Sequence, residues 1–329
     1  MSILVGKHTR VLVQGITGQE GSRAAREMRA YGTTVVAGVT PGKGGQTVEP
    51  EIPVYDSVAE ALAAHPDITL SLVVVPPPFA ADATIESLWH GITLVNVLTE
   101  KIPVADMARA VALAKARGAR IVGPSSVGII TPGKAKVGAI GSSDVAARVF
   151  TPGPVGLISK SGGMTAELAR ILTEAGLGQS TALGIGGDVL LGTDFLDCAR
   201  LFEEDPETRV LVIFGEVGGV AEELLAEAME RGEITKPVVA LIAGDFGKLL
   251  PHGTILGHAG AIVSGGRGSV ESKVHALRRA GAAIAKRPED VARLARHALA
   301  PHQGPHVRHR ANVAPVRGSA PRARGRVTT

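Results

Sequence analysis

Short apolar runs alternate with helix-periodic, alanine-rich segments along nearly the whole chain, and this alternation constrains the fold more than any other feature. Strands are predicted at 10–14, 34–39, 69–75, 93–97 and 119–122, with helices at 22–30, 58–64, 80–89 and 105–116 between them. A turn-rich stretch at 131–154 interrupts the pattern, which then restarts. Strands follow at 155–159, 181–183, 209–214 and 237–243, and helices at 165–174, 193–202, 221–231, 270–280 and 288–298. Repeated βαβ units of this kind form right-handed, parallel, doubly wound sheets with helices on both faces. The 329 residues suffice for two such domains, expected at 1–145 and 146–300. Aromatic residues are only 3% of the chain against 45% hydrophobic residues, so both cores must be built from Val, Leu, Ile and Ala.

Several classes of protein are disfavoured. No apolar stretch approaches the roughly 18 residues of a membrane span, and the first residues lack the charged and apolar regions of a signal peptide. The single cysteine, Cys198, rules out an internal disulfide framework and a cysteine-rich metal site, and no metal site is expected. A cytoplasmic protein is the expectation. The formal charge of +4 misleads, because residues 301–329 hold six arginines and no acid, which leaves the body net acidic. That Pro-, Arg- and Gly-rich tail is expected to be disordered and solvated, and an arm for nucleic acid is the less favoured reading.

Five glycine-rich stretches carry the chemistry. Gln14-Gly15-Ile16-Thr17-Gly18-Gln19-Glu20-Gly21 follows the first strand and opens the first helix, where backbone N–H groups can cradle a phosphate. Its G-x-x-G-x-x-G spacing departs from the dinucleotide fingerprint. After the second strand the chain reads Thr40-Pro41-Gly42-Lys43-Gly44-Gly45, a lysine where a nicotinamide cofactor wants an acid. The two loops together favour a nucleotide with extra phosphate such as coenzyme A, and a dehydrogenase falls to a distant third place. In the second half, Ser159-Lys160-Ser161-Gly162-Gly163 offers hydroxyls and N–H groups at a helix N-terminus, with an ordinary Ser161 cap as the plain alternative. Gly215-Glu216-Val217-Gly218-Gly219 places a carboxylate at a strand end. Gly257-His258-Ala259-Gly260 places an unshielded imidazole past another strand, and Glu216 could fix its tautomer.

Taken in order, these stretches and Gly184-Ile185-Gly186-Gly187-Asp188 resemble the α subunit of succinate–CoA ligase, from the N-terminus to about residue 300. The resemblance implies a Rossmann-like CoA-binding domain followed by a flavodoxin-like ligase domain. It implies CoA contacts from Thr17, Gly18, Gln19, Glu20, Lys43 and the strand end Leu98-Thr99-Glu100. It further implies a phosphorylated His258 with Glu216 as partner, and a phosphate held at Ser161-Gly162-Gly163. The reaction so implied runs through an acyl phosphate on the carboxylate and a phosphoryl group on His258, with the CoA thiol taking the acyl group. ATP or GTP with Mg2+ would lie on a β subunit with an ATP-grasp domain, in an αβ or α2β2 assembly.

Some positions depart from the family. Gly123-Pro124-Ser125-Ser126-Val127-Gly128 replaces Gly-Pro-Asn-Cys-Pro-Gly, and Gly163 and Ala166 stand for the family's threonine and tyrosine. Segment 245–255 is longer and less basic. These features look more like ATP-citrate lyase or citryl-CoA synthetase. They keep open a citrate- or malate-like acid in place of succinate. A CoA-binding paralogue without catalysis is the alternative from another class, though such a module would need neither His258 nor Glu216.

Overall fold

A computed structural model describes residues 2–48, 51–244 and 267–300 of the chain. His258, segment 245–255 and the arginine-rich tail at 301–329 lie outside the described residues. None of the described helices is long and apolar enough to cross a membrane.

The first sheet contains β1 (Arg10–Gln14), β2 (Thr34–Val39), β3 (Thr47–Val48), β4 (Ile52–Tyr55), β5 (Leu70–Val73), β6 (Leu94–Val97) and β7 (Arg120–Val122). Its order is β3-β4-β2-β1-β5-β6-β7, parallel throughout except for β3. Without β3 this is the doubly wound order of a Rossmann fold. The connecting helices are α1 (Gln19–Tyr31), α2 (Val58–Ala64), α3 (Pro77–Trp89) and α4 (Val104–Ala116). Helix α1 shows why the sequence folds so: its buried positions Gly21, Ala24, Ala25 and Met28 recur at three- and four-residue spacing. Gly32 ends it in the left-handed region at φ 99°, donating its N–H to Arg29 and Met28.

The second sheet contains β8 (Gly128–Thr131), β9 (Ala135–Gly138), β10 (Pro152–Ser159), β11 (Gln179–Gly184), β12 (Val210–Glu216), β13 (Val238–Ala243) and β14 (Ala283–Ala285). Its order is β14-β13-β12-β10-β11-β8-β9. The five strands β10 to β14 are parallel and follow the flavodoxin order. Helices α5 (Ser143–Val149), α6 (Gly162–Glu174), α7 (Phe195–Glu204), α8 (Ala221–Glu230), α9 (Val270–Arg279) and α10 (Pro288–Leu299) complete it. An Asp194–Asp197 capping box starts α7.

The sequence places most strands and helices but misses β3, β4, α5, β14 and the hairpin β8–β9, whose first strand pairs antiparallel to β11 and which runs into the stretch expected to be a domain boundary. The second sheet therefore begins at Gly128, ahead of the expected division at 145. The reason is local: Gly128 and Gly138 adopt φ 120° and 84°, and they pack so closely that a Cβ on Gly128 would lie 2.0 Å from the Val137 carbonyl oxygen. Such strands carry no apolar alternation to read. The hairpin also ties the two sheets together. Lys136 on β9 is fully buried, its Nζ donates to Glu27 of α1 at 2.9 Å, and its backbone exchanges two hydrogen bonds with Thr33. Burial lowers the Lys136 pKa, and Glu27 opposes that shift.

The core is close-packed around Phe202 of α7, whose ring faces Gly156 on β10. A Cβ on Gly156 would come within 2.8 Å of that ring. Phe202→Ala is expected to lower unfolding free energy by about 3–5 kcal/mol, and Gly156→Ala is expected to destabilise by overpacking. In the double variant the added methyl occupies part of the cavity, so urea unfolding should show less than the sum of the two losses. Strict additivity would show that the two residues do not share one packing site.

Candidate functional site

Ligands of doubly wound sheets collect at the carboxyl ends of the strands, where the strand order reverses. In the first sheet this point lies between β1 and β5, and in the second between β10 and β12.

The first crevice is built by backbone approach. Gly15, at φ 82°, has no room for a side chain, because its Cβ would sit 2.4 Å from the Val74 carbonyl oxygen just past β5. A Cβ on Gly21 would lie 2.2 Å from the Gly15 oxygen, so the G-x-x-G-x-x-G spacing folds the turn back onto the first turn of α1. Gly18 caps that helix without a side-chain bond, which leaves N-terminal N–H groups of α1 directed outward. The Thr17 hydroxyl lies 3.2 Å from the Thr40 hydroxyl, and this contact brings the first loop beside the loop that carries Lys43. In that second loop Gly44 donates to Asp56 at 2.8 Å, and Lys43 is exposed. The Thr99 hydroxyl donates to the Val75 carbonyl at 2.7 Å, joining the end of β6 to the chain after β5. Thr17, Gly18, Gln19, Lys43, Leu98 and Thr99 thus all lie in segments that follow β1, β2 and β6 at the carboxyl edge of the first sheet. Glu20 is exposed and pairs with Arg23 at 2.5 Å, while Glu100 is exposed.

The second crevice has a different character. Ser161 caps α6, its hydroxyl accepting the Met164 N–H at 3.4 Å, and its own N–H donates to the Ser159 hydroxyl at 3.1 Å. The ordinary cap is therefore present, and Gly163 beside it has nothing within 4 Å of a Cβ. The Lys160 N–H donates to the Phe214 carbonyl, which sets this loop against β12 and the turn at Glu216. The chain leaves β13 at Ala243, whose carbonyl accepts the Val217 N–H at 3.0 Å. It is next described at Arg267 and Gly268, where the Gly268 carbonyl accepts the Gly218 N–H at 2.7 Å. Ala243 and Gly268, which bracket the segment carrying His258, are therefore both bonded to the two residues that follow Glu216.

Beneath that turn lies a buried polar network that the sequence did not reveal. Glu222 is fully buried and accepts the Glu216 N–H at 3.2 Å. It pairs with Lys160 at 3.1 Å and with the fully buried Lys273 at 2.5 Å. Lys273 also donates to the carbonyls of Glu216 at 2.7 Å and Gly218 at 2.6 Å, so its three donors are used. Burial lowers the Lys273 pKa, with the charge of Glu222 opposing it. In the sequence Glu222 reads as an ordinary acid in a helix's first turn, and nothing marks Lys273 as an inward residue of α9. Cys198 is a buried core residue of α7 whose thiol pKa is raised by burial, and no group of three or more metal-ligating side chains occurs among the described residues.

Residues 6–101 match the CoA binding domain family, and residues 158–283 match the CoA-ligase family. These matches cover the two crevices and define the class as acid–CoA ligase subunits. An α subunit 2 of ADP-forming succinate–CoA ligase from Archaeoglobus fulgidus is 48% identical over 294 residues, covering 89% of this chain and 98% of that protein. The Aquifex aeolicus α subunit is 48% identical over 88% of this chain and 92% of its own length. The chain belongs to the succinate–CoA ligase α-subunit family. Among solved structures, ATP citrate lyase of Methanothrix soehngenii in complex with citrate and coenzyme A superposes with a TM-score of 0.82 at 27% identity over 93% of this chain. The present chain spans about half of that lyase, 53% of its length.

Removing one member of a buried charge network strands its partners. Lys273→Met is expected to lower stability by about 3–5 kcal/mol. Arg279→Ala, which breaks an exposed pair with Glu230, should leave stability nearly unchanged. Denaturant unfolding of both variants checks this contrast, and equal losses would show that the network is not energetically buried.

Proposed function

We propose that this chain is the α-type subunit of an ADP-forming succinate–CoA ligase, working in the cytoplasm through a phosphohistidine at His258. The observation that supports this most directly is that Ala243 and Gly268, which bracket the segment carrying His258, bond to Val217 and Gly218 directly after Glu216.

The first crevice fits coenzyme A. The N–H groups at the start of α1, from Gln19 onward, suit the pyrophosphate, and exposed Lys43 suits a further phosphate. Thr99 and Leu98 close the other wall. In the second crevice, the N-terminal N–H groups of α6 at Gly162 and Gly163 would hold a phosphoryl group, and the open space at Gly163 leaves room for it.

Glu216 would accept a hydrogen bond from the N–H of one ring nitrogen of His258, fixing the tautomer in which the other nitrogen carries a free lone pair. That nitrogen attacks phosphorus, and the nucleoside diphosphate leaves. A carboxylate oxygen of the acid then takes the phosphoryl group from His258, giving the acyl phosphate. Finally the CoA thiolate attacks the acyl carbon and inorganic phosphate departs. The nucleotide and Mg2+ belong to a β subunit with an ATP-grasp domain, so activity requires the heteromer. A larger, citrate-like acid is the second reading, favoured by Gly163 and Ala166 at the helix start, where the lost side chains widen the space.

Labelled nucleoside triphosphate should give the assembled complex an acid-labile, base-stable label on this chain. His258→Asn should abolish that label, and its persistence would refute the assignment. Glu216→Gln should slow labelling without loss of fold. Lys43→Ala should weaken CoA binding about tenfold, the loss of one charge-assisted phosphate contact, as read by calorimetry. Steady-state rates with succinate, malate and citrate decide between the two acids.

A further inference from the structure

This chain has few aromatic residues and hides nearly all its described phenylalanines. Phe150, Phe195, Phe202 and Phe214 are at most 4% exposed, whereas Phe79 is 63% exposed. Trp89 at the other end of α3 is also exposed, but the Arg117 guanidinium covers its ring at 4.2 Å. No aromatic or cationic partner sits on the Phe79 ring among the described residues. An uncovered ring in water is unfavourable unless something takes its face.

Its position says what that could be. The chain after β5 is one rim of the first crevice: Val74 touches Gly15 on one side, and the Val75 carbonyl accepts from Thr99 on the other. Pro76, Pro77 and Pro78 follow at once, with Pro76 extended and α3 beginning at Pro77. Three successive pyrrolidine rings restrict the backbone and deliver Phe79 to the first turn of α3 in a narrow range of positions. The inward positions of this helix are the small or aliphatic Ala80, Ala81, Thr84, Ser87 and Leu88, so Phe79 is not needed for its packing.

The geometry points to Phe79 as a stacking platform for the adenine ring of coenzyme A, at the rim of the crevice that takes its phosphates. This rests on the CoA reading above and adds the recognition of the base. A purine offers a π face wide enough for an aromatic side chain, and such stacking is sequence-tolerant and strong in nucleotide-binding proteins. The pantetheine arm and the phosphates offer no such face, so the ring discriminates the adenine end of the ligand.

The test is calorimetric titration of the full chain with CoA and with 4′-phosphopantetheine, which has the arm but no adenine. Phe79→Ala should raise the Kd for CoA about tenfold and leave the Kd for 4′-phosphopantetheine unchanged. Phe79→Tyr should restore CoA affinity. Because the residue is exposed, both variants should melt with the wild type. Equal CoA affinity in wild type and Phe79→Ala would overturn the inference. Equal loss for both ligands would also overturn it, as would a Phe79→Ala chain that binds CoA normally but no longer retains its partner subunit. A wild-type chain that fails to bind CoA would instead overturn the underlying reading and this one with it.

Discussion

A single buried carboxylate, that of Glu222, orders the polar half of this structure. It receives two ammonium groups and one backbone N–H. Through them it connects the loop after β10, the turn after β12 and helix α9. Excluding water from such a cluster costs each ion its hydration. Satisfying every donor of Lys273 recovers much of that cost, and a fully connected network has few alternative arrangements. A turn held in this way can carry a carboxylate at a fixed height above the sheet. Glu216 is that residue, held by its own backbone N–H and carbonyl.

The first domain reaches a similar end by a different route. It fixes its crevice with close backbone contacts: Gly15 against Val74, Gly21 against Gly15, and Thr99 against Val75. Main-chain walls of this sort leave N–H groups free to meet an anion and hold few side chains that could block it. An anionic, elongated ligand is suited to main-chain donors and one exposed lysine. A phosphoryl group in transit between carriers is suited to a rigid, desolvated surround. The two crevices differ in construction, with close backbone contacts in the first and a buried charge network in the second.

The sheets also depend on each other. The hairpin β8–β9 belongs to the second sheet, yet Lys136 within it reaches Glu27 on α1 and Thr33 just before β2 of the first. Asn96 on β6 donates to Ser126, which donates in turn to Gly184 at the end of β11. The chain up to Leu299 is accordingly one compact unit. A ligand spanning both crevices would meet a fixed frame, which lowers the entropy lost on binding.

The sequence by itself determined the βαβ succession, the strands that line each crevice and the glycine turns after them. These follow from local rules: β-branched runs, helical periodicity and glycine where the backbone needs positive φ. Its motifs, in order, also pointed to the succinate–CoA ligase family to which the chain belongs. Tertiary structure alone decided the rest. Strand order set which loops share a crevice, because neighbours in the sheet are not neighbours in the chain. The hairpin was hidden because glycine-bounded strands have no alternating pattern. Lys160, Glu222 and Lys273 were hidden because a charged residue reads as solvated until its long-range partners are known, and Lys273 lies 51 residues from the carboxylate it neutralises. Phe79 was hidden for the opposite reason, since a phenylalanine in a helix reads as core until packing shows that the helix has no use for it.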